Sequence, residues 1–247
     1  MKITFLGTNG WYDTGTGNTS CVLIEMDARC IIFDAGSGFF KAKDLVLPDK
    51  PVFLFISHLH LDHLIGLHTL PLFRFTQGID IYAGSRENIL LRGFLKRPFT
   101  SPPLLLKTKL RFHALDGNTR FPFEFEMRRL RHSVPCYGYR IGYHGRSVAY
   151  CTDTGECRNL ARLARGADLL ITECSMSPGD KSPKLFHLTP EAAARAARSS
   201  GAKRLALFHF DPQKYPGLGS RKRAEAAAGK IFPNTAAAND GAEIVLT

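Results

Sequence analysis

Short apolar runs, separated by turns rich in glycine, proline and polar residues, recur along the whole chain and indicate many buried β-strands. Longer amphipathic stretches lie between several of these runs, so the pattern is that of an α/β protein. We predict strands over residues 3–6, 21–33, 51–56, 79–82, 104–112, 121–130, 136–142, 147–151, 169–172, 204–208 and 243–246. We predict one helix that ends near Phe73, one that starts with Ser85 as its N-cap, and others over 156–165, 190–199 and 221–230.

Two segments in the middle of the chain have patterns that predict a half-buried strand and a hairpin turn. The phenylalanines of Phe121-Pro-Phe-Glu-Phe125 alternate with more polar neighbours, which predicts one buried face on that strand. Continuing the alternation would place Arg129 and Arg131 in the core, so we expect the strand to bulge or end before His132. The tetrapeptide Tyr143-His-Gly-Arg146 predicts a hairpin turn between two strands.

Four side chains that can bind metal ions follow the predicted strand at 51–56: His58, His60, Asp62 and His63. Because positions two apart in an extended segment point the same way, His58 and His60 can reach one ion together. Asp62 and His63 stand where the apolar pattern lengthens into a predicted helix, so they point toward a second, neighbouring position. Imidazole and carboxylate groups suit zinc, and also iron, manganese and nickel. The cluster therefore predicts a metal centre.

The motif His58-Leu-His-Leu-Asp-His63 after an apolar strand resembles the signature of the metallo-β-lactamase superfamily. Three further motifs follow in that family's order: His132 in His-Ser-Val-Pro-Cys-Tyr-Gly, Asp153 in Tyr-Cys-Thr-Asp-Thr-Gly and His209 in Leu-Phe-His-Phe. The residues around them are similar to those of the ribonuclease Z-like branch, and the similarity covers nearly the whole chain. The resemblance implies a four-layer αββα sandwich, with two sheets stacked between helices.

The same resemblance implies a site for two divalent metal ions, with zinc as the expected ion and manganese, nickel or iron as alternatives. By analogy with the family, one ion is held by His58, His60 and His132, the other by Asp62, His63 and His209, and Asp153 bridges both. The two ions of such a site lie about 3.5–4 Å apart and activate a water as the nucleophile.

His187 and Glu173 complete the catalytic set that the resemblance implies, together with the ligand Asp62. His187 lies in Phe-His-Leu-Thr-Pro, where ribonuclease Z-like proteins have a histidine that protonates the leaving group. Glu173, in Ile-Thr-Glu-Cys, resembles an acidic residue of the family and is expected to orient His187. Asp34 is either a partner that orients a ligand histidine or a turn-forming residue. We expect structural or surface roles for the histidines that match no family motif: His68, His113 and His144.

Length and cysteine usage favour a cytoplasmic protein of one domain. We expect residues 1–247 to form a single metallo-β-lactamase-fold domain. The apolar stretches are shorter than the roughly 20 residues of a membrane span, so no membrane contact is expected. The N-terminal Met1-Lys-Ile-Thr-Phe-Leu-Gly7 is typical of a strand rather than of a signal peptide. The six cysteines form no C-x-x-C pair, which predicts free thiols.

The net charge of +11 favours acidic partners such as phosphate esters or nucleic acid. Three basic clusters are either phosphate contacts or solvated faces: Arg128, Arg129 and Arg131; Arg92, Lys96 and Arg97; and Arg221, Lys222 and Arg223.

The chain departs from ribonuclease Z at the tRNA-binding arm, which that family carries between the third histidine motif and the bridging aspartate. Only residues 133–152 separate His132 from Asp153 here, and the predicted hairpin fills them. We therefore expect a phosphodiesterase for a small or nucleotide phosphodiester. The alternatives are a ribonuclease Z-like endonuclease for RNA 3′ ends, an iron-dependent oxidoreductase on the same fold, and a metal-stabilised binding protein without turnover. A homodimer is left open.

Overall fold

The computed structural model describes residues 1–116, 119–180 and 186–247. It divides into two compact units, each with its own sheet and its own apolar core. The first unit comprises Met1–Gly7, Asn18–Arg120 and Gly241–Val245, and the second comprises Thr8–Gly17, Phe121–Asp240 and Leu246–Thr247. That the whole chain forms a single domain stays a prediction.

A mixed sheet of seven strands forms the first unit. Its strands are β1 (Lys2–Gly7), β2 (Cys21–Glu25), β3 (Cys30–Phe33), β4 (Val52–Phe55), β5 (Ile79–Gly84), β6 (Leu110–Leu115) and β13 (Glu243–Val245). Their order across the sheet is β13-β1-β2-β3-β4-β5-β6, with β3 to β6 parallel and the other neighbours antiparallel. The unit also contains α1 (Ala42–Leu45), α2 (Ser85–Phe94) and 3₁₀ turns at Ser37–Lys41, Leu61–His63, Ile65–Leu72 and Pro103–Leu105.

The central strands of this sheet are rich in aliphatic and aromatic residues, as parallel strands covered on both faces are. The whole of β3 is buried, and alternate residues of β4 and β5 join the same apolar cluster. Phe39 and Phe73 from the turns stack within that cluster, with ring centroids 4.7 Å apart. This packing fixes the carboxyl ends of β3 and β4, where the first set of candidate ligands lies.

A sheet of six strands forms the second unit. Its strands are β7 (Glu124–Arg129), β8 (Tyr137–Tyr143), β9 (Arg146–Cys151), β10 (Leu169–Glu173), β11 (Leu205–Phe208) and β12 (Thr235–Ala237). The order is β12-β11-β10-β9-β8-β7, with β9 to β12 parallel and β7 to β9 antiparallel. The helices are α3 (Arg158–Ala164), α4 (Pro190–Ser200) and α5 (Leu218–Gly229).

Helix α4 shows how local sequence places an element in this unit. Thr189 is its N-cap and accepts a hydrogen bond from the Ala192 amide, and Gly201 ends it in the left-handed conformation. Apart from Pro190 at its start, its buried residues are small alanines, which allow close packing against the neighbouring helices α3 and α5. The cap also fixes the chain direction two residues after His187.

The hairpin and the strand end predicted before His132 are confirmed. His144 and Gly145, both with positive φ, form a two-residue turn between β8 and β9. β7 ends at Arg129. The phenylalanines of residues 121–125 are only half-buried, so the predicted buried face is less complete than the alternation suggested.

Four predictions of local structure were wrong. Ser85 is the first residue of α2, whose N-cap is Gly84. The helix predicted to end near Phe73 consists of 3₁₀ turns, with Pro71 inside the longer one, because proline cannot donate the hydrogen bond that an α-helix requires. Residues 21–33 form two strands rather than one, and in 104–112 the strand begins only at Leu110. β12 was not predicted.

Within the described parts of the chain, no helix combines the length and the apolar character needed to cross a bilayer.

The cysteines lead to the first testable prediction. All six are free thiols, and only Cys157 is not buried. Burial raises the pKa of Cys30 to about 11 and also raises the pKa of Cys151 and Cys174, so these residues hold almost no reactive thiolate near pH 8. In a titration of native protein with Ellman's reagent, Cys157 should react first, and Cys157→Ser should remove the fast phase. The unreduced, unfolded protein should release all six thiols, and a smaller number would reveal disulfides.

Candidate metal centre

The four candidate ligands of the first unit come together after β4. His58 and His63 are fully buried, and the side chain of Asp62 is only 13% exposed. The ring centroid of His58 lies 4.6 Å from that of His60 and 4.2 Å from that of His63. An Asp62 carboxylate oxygen lies 3.5 Å from Nε2 of His63. The short 3₁₀ turn Leu61–His63 brings these side chains into one cluster.

Asp34 holds this cluster from the end of the neighbouring strand β3. Its buried carboxylate accepts hydrogen bonds from the Ser57 amide at 2.7 Å, the Ser57 hydroxyl at 2.8 Å and Nδ1 of His63 at 2.8 Å. Because an ionised carboxylate only accepts, His63 carries its proton on Nδ1, and its Nε2 lone pair is left for a metal ion. Asp34 thus contacts a candidate ligand histidine, as the first of its two predicted roles requires.

Ser57 and Gly36 support the same cluster and were missed in the sequence. The Ser57 hydroxyl donates to Asp34, so it accepts from Nδ1 of His58, which lies 3.0 Å away. With its proton on Nδ1, His58 has its lone pair on Nε2, the nitrogen that can bind a metal ion. A side chain at Gly36 would place its Cβ 2.4 Å from the carbonyl oxygen of Asp62, so the close approach requires glycine. The position of Ser57 directly before the motif was the available signal.

In the second unit, the candidate residues follow three neighbouring parallel strands. Asp153 follows β9, Glu173 is the last residue of β10, and His209 follows β11. The register pairs Thr172 with Cys151 and Glu173 with Phe208, so the three strands end at the same level. Ligand-bearing side chains far apart in sequence therefore meet at one edge of the sheet.

Asp153 lies at the centre of the second set. One carboxylate oxygen lies 3.1 Å from Nε2 of His209 and accepts a hydrogen bond from the Thr152 hydroxyl at 3.0 Å. Potential ligand atoms of His132, Asp153 and His187 all lie within 4.8 Å of one another. The loop that carries His132 is attached to the same turn, because the Arg131 amide donates to the Thr154 hydroxyl.

Glu173 orients His187 from a fully buried position. Its carboxylate accepts Nδ1–H of His187 at 2.8 Å, and the amides of Thr154, Ser175 and Leu188 donate to it at 2.7, 3.2 and 3.1 Å. These donors stabilise a carboxylate that burial alone would make costly. The hydrogen bond leaves Nε2 of His187, on a side chain that is 33% exposed, available for a ligand.

Ser175 does for His209 what Ser57 does for His58. Its hydroxyl donates to the His209 carbonyl at 2.8 Å and so accepts from Nδ1 of His209, at 3.1 Å. Nε2 of His209 is then the ring nitrogen that faces Asp153. This role could not be predicted, because a serine after Glu173-Cys174 forms no distinctive pattern.

Both sets suit divalent metal ions by the chemistry of their donors. Each combines imidazole and carboxylate groups, the combination that zinc and its first-row neighbours bind. His63 and His58 in the first unit, and His209 in the second, each have Nδ1 engaged by a hydrogen-bond acceptor, as histidine ligands in metal sites do.

Other groups singled out in the sequence lie outside these sets. His113 donates a hydrogen bond to Asp80. Burial alone would raise the pKa of Asp80, but the hydrogen bonds from Arg111 and His113 outweigh burial, so the pKa lies below its usual value. His68 and His144 are exposed. Arg221, predicted as part of a basic surface cluster, is only 1% exposed. Its guanidinium is bonded inside the second unit, so it belongs to neither a phosphate track nor a solvated face.

Comparison with known proteins places the chain in a family. A family model described as "Beta-lactamase superfamily domain" matches residues 29–210. A ribonuclease Z from Synechococcus sp. (strain CC9311) is 30% identical, with 97% of this chain and 97% of that protein covered. The alignment extends over 307 positions, more than the 247 residues of this chain, so that relative has segments without a counterpart here.

Solved structures share the fold. The metallo-β-lactamase fold protein YhfI from Bacillus subtilis superimposes with a TM-score of 0.83 at 23% identity, over 98% of each chain. A diphosphatase from the PhnP family superimposes with a TM-score of 0.75 at 18% identity, over 100% of this chain and 98% of that one. These likenesses confirm the predicted fold class, the metallo-β-lactamase sandwich. The chain therefore belongs to the β-lactamase superfamily and is a metal-dependent hydrolase with the metallo-β-lactamase fold.

Proposed function

We propose that the protein is a phosphodiesterase that uses two divalent metal ions on a small or nucleotide phosphodiester. The observation that carries the proposal is the environment of His187, a histidine with Nδ1 bonded to a buried carboxylate and ligand-type atoms of Asp153 and His132 close by. A simple metal-binding protein has no need of such a histidine, whereas ester hydrolysis needs a group that protonates the leaving oxygen.

The ligand assignment belongs to this proposal and follows the family pattern. His58, His60 and His132 would hold one ion, Asp62, His63 and His209 the other, and Asp153 would bridge them. Zinc is the expected ion, with manganese, nickel and iron as alternatives. Two bound ions supply Lewis acidity, which activates a water and offsets the charge that develops on the phosphate. The oriented imidazoles of each unit support this assignment.

His187, Glu173 and Asp62 form the proposed catalytic set. Glu173 holds the proton on Nδ1 of His187 and stabilises the imidazolium form by its negative charge. The protonated Nε2 then donates to the departing alkoxide, which is a poor leaving group without a proton. Glu173 acts through His187, so it is a positioning residue, and Asp62 serves as a ligand beside His63.

The hairpin between His132 and Asp153 favours a small or nucleotide substrate. Strands β8 and β9 and their two-residue turn span residues 137–151, so the few residues that remain between His132 and Asp153 leave no segment for a tRNA-binding arm. The relative named ribonuclease Z supports RNA as the alternative substrate, and the diphosphatase of similar fold supports a small one. A cytoplasmic location and a homodimer stay predictions.

A substrate panel tests the proposal. Bis-p-nitrophenyl phosphate, 2′,3′-cyclic nucleotides, cyclic ribose phosphates and a pre-tRNA should each be assayed with zinc, manganese and nickel. We expect turnover of the small diesters to exceed cleavage of the pre-tRNA. Specific 3′ cleavage of the pre-tRNA without turnover of small diesters would instead establish the ribonuclease alternative, and purified protein with iron and redox activity would establish the oxidoreductase.

Metal content provides the second prediction. Protein purified without chelator should contain about two ions per chain, and Asp153→Ala should contain one or fewer, because a bridging carboxylate contributes to both positions. Asp44→Ala, which removes an exposed carboxylate, is the matched control and should keep the wild-type content. Thermal melting verifies that each variant is folded. Two retained ions in folded Asp153→Ala would refute the bridging role.

The third prediction separates His187 from the metal ligands. His187→Ala should keep its metal content but lose about 10²–10⁴-fold in kcat toward a dinucleotide, whose leaving alkoxide needs a proton. Toward a p-nitrophenyl ester the loss should be much smaller, because p-nitrophenolate leaves without protonation. His68→Ala, which removes an exposed histidine, is the control.

Two results would contradict this role. An equal loss toward both substrates would show that His187 is not the acid, and a loss of metal would make it a ligand or a structural support. Glu173→Gln should show the same leaving-group dependence as His187→Ala, with a smaller loss, because Nε2 of His187 remains present while Nδ1 loses its charged partner.

A further inference from the structure

The loop Thr8–Gly17 of the second unit exposes two large aromatic side chains in sequence. Trp11, the single tryptophan of the protein, is 62% exposed, and Tyr12 is 39% exposed. Their rings meet edge to face with centroids 5.2 Å apart. Trp11 also has a left-handed backbone with φ of 64°. Neither the exposure nor this conformation favours folding, and such features concentrate at binding sites.

The loop is held rigidly from within the same unit. The side-chain amide of Asn9 donates to the Tyr12 carbonyl at 3.1 Å and to the Gly17 carbonyl at 2.8 Å, which closes the loop on itself. The buried guanidinium of Arg221 donates to the Asn9 side-chain oxygen and, at 2.7 Å, to the Thr8 hydroxyl. A rigid aromatic platform loses little conformational entropy when a ligand binds to it.

The loop also contacts a residue of the candidate metal centre. The Gly10 amide donates to the Phe210 carbonyl at 2.9 Å, and the Phe210 amide donates to the Thr8 carbonyl at 3.0 Å. A Cβ at Gly10 would lie 2.4 Å from the His209 ring, so the backbone of Gly10 lies directly against that imidazole. Trp11 is the next residue, and its Cα is therefore about 3.8 Å from the Cα of Gly10.

We propose that Trp11 is a specificity-determining residue that stacks on the nucleobase of a nucleoside phosphodiester whose phosphate lies at the metal centre. This inference rests on the proposed phosphodiesterase function and narrows its substrate to nucleotides. An indole face accepts any base, so we expect a preference for nucleosides over baseless esters and little discrimination among bases. Tyr12, edge-on to the indole, supports the orientation of its ring.

Fluorescence of the single tryptophan tests the platform without any turnover. Metal-loaded protein should be titrated with thymidine 5′-monophosphate and, separately, with methyl phosphate. Saturable quenching by the nucleotide, with none by methyl phosphate, is the expected result. Nucleotide binding that is detected by calorimetry but leaves the emission unchanged would overturn the proposal.

A matched pair of substrates tests the same contact in catalysis. Thymidine 5′-(p-nitrophenyl phosphate) and methyl p-nitrophenyl phosphate share the leaving group and differ only in the nucleoside. Trp11→Ala should raise KM for the thymidine ester about 5- to 150-fold, the range for loss of one base–aromatic stack, and should leave the methyl ester unchanged. Trp11→Phe should keep most of the affinity. Phe99→Ala, which removes another exposed aromatic side chain, is the control and should behave as wild type.

The outcomes separate this inference from the function on which it rests. An equal effect of Trp11→Ala on both esters, or no effect on either, refutes base stacking while the phosphodiesterase function stands. If the wild type hydrolyses neither ester under any metal condition, the proposed function fails. The fluorescence titration then decides alone whether Trp11 contacts a nucleotide base.

Discussion

The candidate site depends on parallel strands that end at one edge of a sheet and are followed by a residue in a left-handed conformation. Asp34 has φ of 57° directly after β3, Asp153 has φ of 45° after β9, and His209 has φ of 51° directly after β11. None of these is glycine, and such a conformation costs on the order of 1–3 kcal/mol per residue. The packing of the buried strands that precede these residues offsets this cost, because it holds the backbone in one conformation. All three side chains contact candidate ligands: Asp34 contacts His63, and Asp153 contacts His209.

A buried carboxylate orders the imidazoles of each unit in the same way. Asp34 and Glu173 are both fully buried, and each accepts Nδ1–H of one histidine and at least one backbone amide. Removal of either carboxylate would leave several buried donors without an acceptor, which typically costs 1–3 kcal/mol for each group. The residues that orient the histidines are therefore also part of what stabilises the strand ends, so stability and histidine orientation cannot be changed independently there.

The sequence predicted the parts of the site that depend on short-range patterns. The four candidate ligands of His58–His63 are close together in the chain. The segments before Asp153, Glu173 and His209 are short apolar runs, which predict buried strands. The residue-by-residue resemblance supplied the remaining assignments. Ser175 was missed because a serine that accepts from a histidine is indistinguishable, in sequence, from any serine near a strand end, whereas the position of Ser57 directly before the motif was a usable signal.

The failed predictions have more than one cause, and Arg221 is the case in which tertiary contacts outweigh a local pattern. Arg221 looked like part of a surface cluster because Lys222 and Arg223 follow it, yet the helix α5 turns it inward onto Phe210, whose ring lies 4.6 Å below the guanidinium. Charge alone cannot reveal which face of a helix is buried. The 3₁₀ turns after the histidine motif have a local cause instead, because Pro71 cannot donate the hydrogen bond that an α-helix requires.

The candidate ligands lie at strand ends, whereas substrate contacts lie on loops, so the type of reaction is easier to infer from the sequence than the substrate. Strand ends are fixed by the core, so ligands placed there keep their geometry while loops change. The loop Thr8–Gly17 contains both a constrained residue, Gly10, and an exposed one, Trp11. Gly10 is constrained by the His209 ring, and any side chain there would displace a candidate ligand. Trp11, one residue further, is exposed and carried by the same anchored backbone. Substitution at Trp11 can therefore alter what is bound without disturbing the histidine, whereas substitution at Gly10 must alter both.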